Sequence, residues 1–194
     1  MSDRTLIFSV FIVASCGLAY ELIAGALASY LLGDSILQFS SIIGCYLFAM
    51  GIGSHLSKYV PEERVLDRFI EVELLVGLIG GVSAALLFVL FAWLSMPFRT
   101  ILYVLVMMIG ILVGMEIPLV MRLLHQRQTE FSEIVSRVLT FDYLGALAVS
   151  LLFPLVLAPT LGLARTGFLF GLLNALVALW TIHRFKQHLS HPKL

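Results

Sequence analysis

The sequence predicts an all-α protein, a polytopic transmembrane helical bundle of six spans. Three observations predict it. Of the residues, 60% are hydrophobic and only 12% charged, far from the averages of a soluble domain. The apolar residues form six stretches near the ~20 residues a helix needs to cross a hydrocarbon core. Lys and Arg gather on alternate connections between those stretches.

The first stretch, about 6–32, follows the short charged start "MSDR". Its apolar run is too long for a signal-peptide core, and no convincing processing site interrupts it, so it reads as a retained helix. The second stretch covers about 36–57, and the tight turn "GDS" joins it to the first. The third covers 69–94 and follows the polar segment "SKYVPEERVLDR". The fourth, 100–123, follows "LSMPFR" and contains "GMEIP". The fifth covers 138–158, after "HQRQTEFSEIVSR", which has enough helix formers to lie as a short interfacial helix. The sixth covers 166–184, after "PTLGLAR". The whole chain, 1–194, is thus expected to be one transmembrane domain without a soluble catalytic domain.

With the N-terminus inside, Arg4, Lys58, Arg64, Arg68, Arg122, Arg127, Arg137, Arg184, Lys186 and Lys193 fall on the cytoplasmic side, ten of the twelve basic residues. Only Arg99 and Arg165 fall outside. This asymmetry places both termini in the cytoplasm, with a lipid bilayer as the surrounding medium.

Lipid offers no hydrophobic drive for helix association, so interfaces are expected where small residues permit close approach. Those faces are Gly17, Glu21, Ala24 and Ala28 in span 1, and Ser40, Gly44, Gly51 and Ser54 in span 2. In span 3 the face is Glu73, Gly77, Gly80, Gly81 and Ala84, and in span 4 the pair Gly110 and Gly114. Span 5 offers Asp142, Gly145, Ala146 and Val149, and span 6 Gly167, Gly171, Asn174 and Ala178. Glu21, Glu73, Asp142 and Asn174 travel with small residues and are expected to face the interior, since a lipid-facing charge costs at least ~2.5–3.5 kcal/mol. Glu116 stands apart from the Gly110/Gly114 face, and Pro118 releases the Gly114 carbonyl, so a kinked or loosened helix is expected there.

Cys16 and Cys45 lie within spans, no CxxC accompanies them, and the five histidines show no paired ligand pattern; neither metal, cofactor nor disulfide is expected. The segment "GIGS" at 51–54 lies inside span 2 as a packing motif, not a nucleotide-binding loop. No GxSxG or HExxH pattern suggests intramembrane catalysis, and no nucleic-acid partner is expected.

The segments "GLAYELIAGALASYLLGDSILQFSSIIGCYLFAMGIGS", "GMEIPLVMRLL" and "DYLGALAVSLLFPLVLAPTLGLARTGFLFGLLNAL" resemble the membrane-embedded N-terminal region of bacterial spermidine synthase-like proteins. In that family a multispanning domain precedes an aminopropyltransferase domain. The resemblance covers about residues 10–182 and implies a link to polyamines. It also implies that the aminopropyl-transferring part would follow where this chain ends, so transfer is not expected of this chain alone.

A polyamine carries separated ammonium groups on an apolar chain. A site for it needs carboxylates some ångströms apart with apolar or aromatic surface between them. Glu21, Glu116, Asp142, Glu73, Asn174, Tyr20, Tyr46 and Tyr143 are the candidate ligand-binding residues, with Glu21 and Glu116 foremost; no residue is assigned a catalytic role. The alternative is structural: a membrane anchor or scaffold for an aminopropyltransferase domain or subunit, or a homo-oligomerisation domain. Asp142 and Asn174 would then be interhelical bonds worth ~0.6–2 kcal/mol each.

Overall fold

The computed structural model describes residues 3–93, 98–125 and 130–189, and side chains from residue 7 to residue 183 within them. The connection at 94–97, Arg127 and the tail from 190 lie outside the described residues, as do the side chains of Arg4, Arg184 and Lys186.

The helices are α1 (Asp3–Leu32), α2 (Ser35–Ser57), α3 (Val65–Trp93), α4 (Phe98–His125), α5 (Phe131–Leu152) and α6 (Ala158–Leu189). A 3-10 turn at Glu62–Arg64 precedes α3, and a single π-helical segment, Phe153–Leu157, joins α5 to α6. No strand occurs among the described residues. The α1–α2 turn is built by Gly33 and Asp34, both at positive φ. Glycine tolerates this left-handed cap, and the Asp34 carboxylate accepts the Leu37 N–H at 3.2 Å to start α2.

Among the described residues, five helical stretches are long and apolar enough to cross a membrane, the last running from Phe131 to His183. That last stretch is not one rod. Gly162 has φ 75° and ψ 171°, a conformation close to glycine-only, and the Thr166 hydroxyl lies 3.4 Å from the Leu157 carbonyl. Nine residues of continuous helix would separate those positions by about 13.5 Å, so the chain folds back at Gly162. The expected loop "PTLGLAR" is therefore helical on both sides of one broken residue. Pro154, which lacks an N–H to donate, lies in the π segment.

One further expectation changes. The polar residues 131–137 are not a separate interfacial helix but the first two turns of α5. Pro118 sits within α4, which stays helical on both sides of it.

The central helix is α1, which touches all the others, while α2 packs along α4 and α3 along α6. The α3–α6 seam is made by glycines. A Cβ on Gly77 would stand 2.8 Å from the Gly171 carbonyl oxygen, and one on Gly81 would stand 3.0 Å from the Gly171 Cα. Gly110 and Gly114 bring α4 similarly against Tyr46, Ala49 and Met50 of α2. The small faces expected for spans 3 and 6 are buried. That of span 2 is not: Ser40, Gly44, Gly51 and Ser54 face outward, and α2 buries Gln38, Ile42, Tyr46, Ala49, Gly53 and Ser57 instead. Larger side chains fill the concave side left by the glycines of α4, and of the α2 glycines only Gly53 meets α4, where a Cβ would strike the Ile111 carbonyl.

At the end of the bundle carrying the α2–α3 connection, Arg122 closes the corner. Its guanidinium donates to the carbonyls of Ser57 at 3.0 Å and Val60 at 2.8 Å, and to the Glu62 carboxylate at 3.0 and 2.6 Å. Arg68 pairs with Glu71 and Arg137 with Glu133 within their own helices.

Candidate functional site

A cavity of about 180 Å³ lies among α1, α2, α4 and α5. Glu21 enters it from α1, Tyr46 from α2, Glu116 from α4, and Asp142 with Tyr143 from α5. The remaining wall is apolar, with Val13, Leu18, Val113, Ile117 and Val120 among its residues. Among the described residues, no Lys, Arg or His lines it. Leu47 and Tyr143, 57% and 67% exposed, stand at its rim, so the cavity opens between α2 and α5.

Each polar group is placed by local packing. Gly17 leaves room on α1 for Val113 and for Tyr46, whose hydroxyl donates to the Gly17 carbonyl at 2.8 Å. The close α2–α4 contact at Gly110 and Gly114 carries Glu116, two residues on, into the interior, where it is 2% exposed. Gly145 lets α5 approach Phe11 and Ala14 of α1. Ser15 bridges the same contact, donating to its own-helix Phe11 carbonyl at 2.7 Å and lying 3.2 Å from the Gly145 carbonyl. Asp142 stands one turn before Gly145 and is half-buried.

The electrostatics follow from this arrangement. The charge of Asp142 reaches Glu116, and that of Glu21 reaches Tyr46. Three carboxyl groups without a basic neighbour among the described residues would, when ionised, make a concentrated negative potential in a low-dielectric wall, which attracts cations. Glu116 Oε1 has no hydrogen-bond partner among the described residues.

Of the eight residues singled out in the sequence, five therefore meet at one cavity: Glu21, Tyr46, Glu116, Asp142 and Tyr143. Glu73, Asn174 and Tyr20 do not line it. Glu73 and Asn174 are fully buried on α3 and α6, and Tyr20 is buried on α1. Gln38 is a buried polar residue that the sequence reading passed over; it is 2% exposed and its Oε1 has no partner among the described residues. Its signal was a single glutamine in an apolar span.

Comparison with known proteins adds the following. Over 97% of its length the chain is 74% identical to two proteins of Ralstonia nicotianae, polyamine aminopropyltransferase 2 and polyamine aminopropyltransferase 1. It is 55% identical, over 92% of its length, to a polyamine aminopropyltransferase of Leptospira interrogans. The chain spans 37%, 36% and 35% of these relatives respectively. No family model and no solved structure matches it.

Proposed function

From a chain that is homologous to about a third of the length of bacterial polyamine aminopropyltransferases, we propose that it is their membrane domain and that it binds a polyamine or related organic cation. The single observation that carries this reading is the cavity with three carboxyl groups, two tyrosines and, among the described residues, no basic one. Glu21, Glu116 and Asp142 would neutralise ammonium groups, and the apolar wall would hold the methylenes between them. Its volume, about 180 Å³, is small beside the ~300–1,000 Å³ of pockets for drug-sized ligands, which favours a slender aliphatic chain.

The domain on this reading crosses a bacterial inner membrane six times, the two arms about Gly162 counting as separate spans. Both termini are cytoplasmic on this reading, which the distribution of Lys and Arg supports. A site near the middle of a bundle, reached from one side and bordered by carboxylates at different depths, also suits transport.

A second reading treats the bundle as an anchor for an aminopropyltransferase domain or subunit, or as a homo-oligomer. It is favoured by the length of the relatives, nearly two thirds of which this chain does not span.

Calorimetric titration of the detergent-solubilised chain with spermidine and putrescine separates the two. Saturable binding, lost in folded Glu21→Gln and Glu116→Gln variants, is expected. A folded wild type that binds neither amine up to the millimolar range favours the anchor.

A further inference from the structure

Behind the cavity lies a second polar locus that the hydrogen bonds of the chain do not account for. Glu73 on α3 and Asn174 on α6 are both 0% exposed. Neither carboxyl oxygen of Glu73 and neither amide atom of Asn174 has a hydrogen-bond partner among the described residues. The two residues belong to the same part of the α3–α6 seam, because the Asn174 Cβ lies 3.1 Å from the Cβ position of Gly77, one turn beyond Glu73. Tyr20 enters from α1 with its ring against Gly80, and its buried hydroxyl is also without a partner among the described residues. Glu116 is buried on α4 within electrostatic reach of Glu73 and Tyr20, and its Oε1 has no partner among the described residues.

Buried polar atoms are nearly always satisfied, and leaving a set of them dry opposes folding. Here the unsatisfied atoms come from four helices, so no single rotamer change within one helix resolves them. Two carboxyl groups, an amide and a phenol are hard oxygen donors, and hard cations select such donors. Of the other titratable neighbours, the Cys16 thiol is directed at the Phe170 carbonyl, 3.7 Å away, and the Tyr46 hydroxyl donates to the Gly17 carbonyl. Glu73, Asn174 and Tyr20 stay outside the 180 Å³ cavity, and their full burial suits a bare inorganic ion better than an amine-bearing chain.

The geometry points to a buried sodium site between α1, α3, α4 and α6, with Glu73 and Asn174 as ligands and Tyr20 and Glu116 closing it on the cavity side. The site stands independently of a polyamine in the cavity, although Glu116 borders both.

The test is the melting of the detergent-solubilised full chain in sodium chloride against choline chloride at matched ionic strength. A ligand that binds only the folded state raises the midpoint as its concentration passes the dissociation constant. The expected result is a saturable rise with sodium that disappears in Glu73→Gln and Asn174→Leu and persists in Glu21→Gln. Equal midpoints in the two salts for the folded wild type would overturn the site and leave water as its occupant. This outcome needs no variant and does not depend on any variant folding. A sodium effect abolished by Glu21→Gln but untouched by Glu73→Gln would place the ion in the cavity and overturn the proposal as well.

Discussion

Tyr46 donates its phenolic hydrogen to the main-chain carbonyl of Gly17 across 2.8 Å, so a side chain of α2 fastens the backbone of α1 at the cavity wall. The hydroxyl is buried, and its replacement leaves the carbonyl only its own helical bond. Tyr46→Phe is expected to lower stability by about 0.5–1.5 kcal/mol, read as an earlier transition in a denaturing-detergent titration. An unchanged transition would mean that the bond contributes nothing net.

The glycines of α3 and α6 differ from those on the outer side of α2. Gly171 faces the Gly77 carbonyl at 2.6 Å from where a Cβ would stand, whereas nothing lies within 4 Å of such positions on Gly44 and Gly51. Gly171→Val is therefore expected to force the helices apart, costing about 1–3 kcal/mol or more. Gly44→Ala is expected to be neutral or slightly stabilising, since alanine is the better helix former by ~1 kcal/mol. The same titration compares them.

Arg122 makes four hydrogen bonds to three partners around residues 57–62. A lysine offers a point charge in place of a planar fork and cannot reproduce them. Arg122→Lys is expected to speed hydrogen exchange in the α2–α3 connection by about tenfold, with little change in α5. Equal exchange in wild type and variant would show the fork to be dispensable.

Gly162 holds φ 75° with ψ 171°, where a side chain is strained by about 1–3 kcal/mol. Gly162→Ala is expected to lose stability in that range, and cysteine labelling on either arm of 131–183 tests the fold-back directly. Labels at Phe131 and His183 reacting from the same side of the membrane support two crossings, and labels from opposite sides exclude them.

In the cavity, Asp142→Asn keeps shape while removing one negative charge. On the cation reading it weakens spermidine binding by about tenfold, or ~1.4 kcal/mol, and putrescine binding by a similar factor if both amines reach it. Calorimetry on the folded variant decides.

Much of this architecture was legible along the chain, because hydrophobic length and the positions of Gly33 and Asp34 are local properties. The α3 and α6 faces were legible too, since Gly77, Gly81, Gly167 and Gly171 repeat every four residues around a buried Glu73 and Asn174. For α2 the same reasoning failed. A small-residue stripe marks a place where a partner fits, but the partner facing α2 is α4, whose own glycines supply the room and receive Tyr46 and Ala49. Helix ends were also displaced: charged residues such as Glu133 and Arg137 pair on the surface of α5 and extend it beyond its apolar part. Glu21, Glu116 and Asp142 meeting at one cavity, with Glu73 left out of its lining, depends on which helices touch, and nothing local in the sequence encodes that.

The fold-back at Gly162 is nearly all helix, with a single residue outside helical geometry and the Thr166 hydroxyl bonding the Gly162 carbonyl at 2.7 Å. A reversal of this kind exposes few backbone groups in need of water. Its apex is therefore free to stop short of the aqueous phase, below the level of the lipid headgroups, where an ordinary loop would be too polar to rest. On the proposed six-span reading the two arms would insert as one hairpin, the second drawn in behind the first.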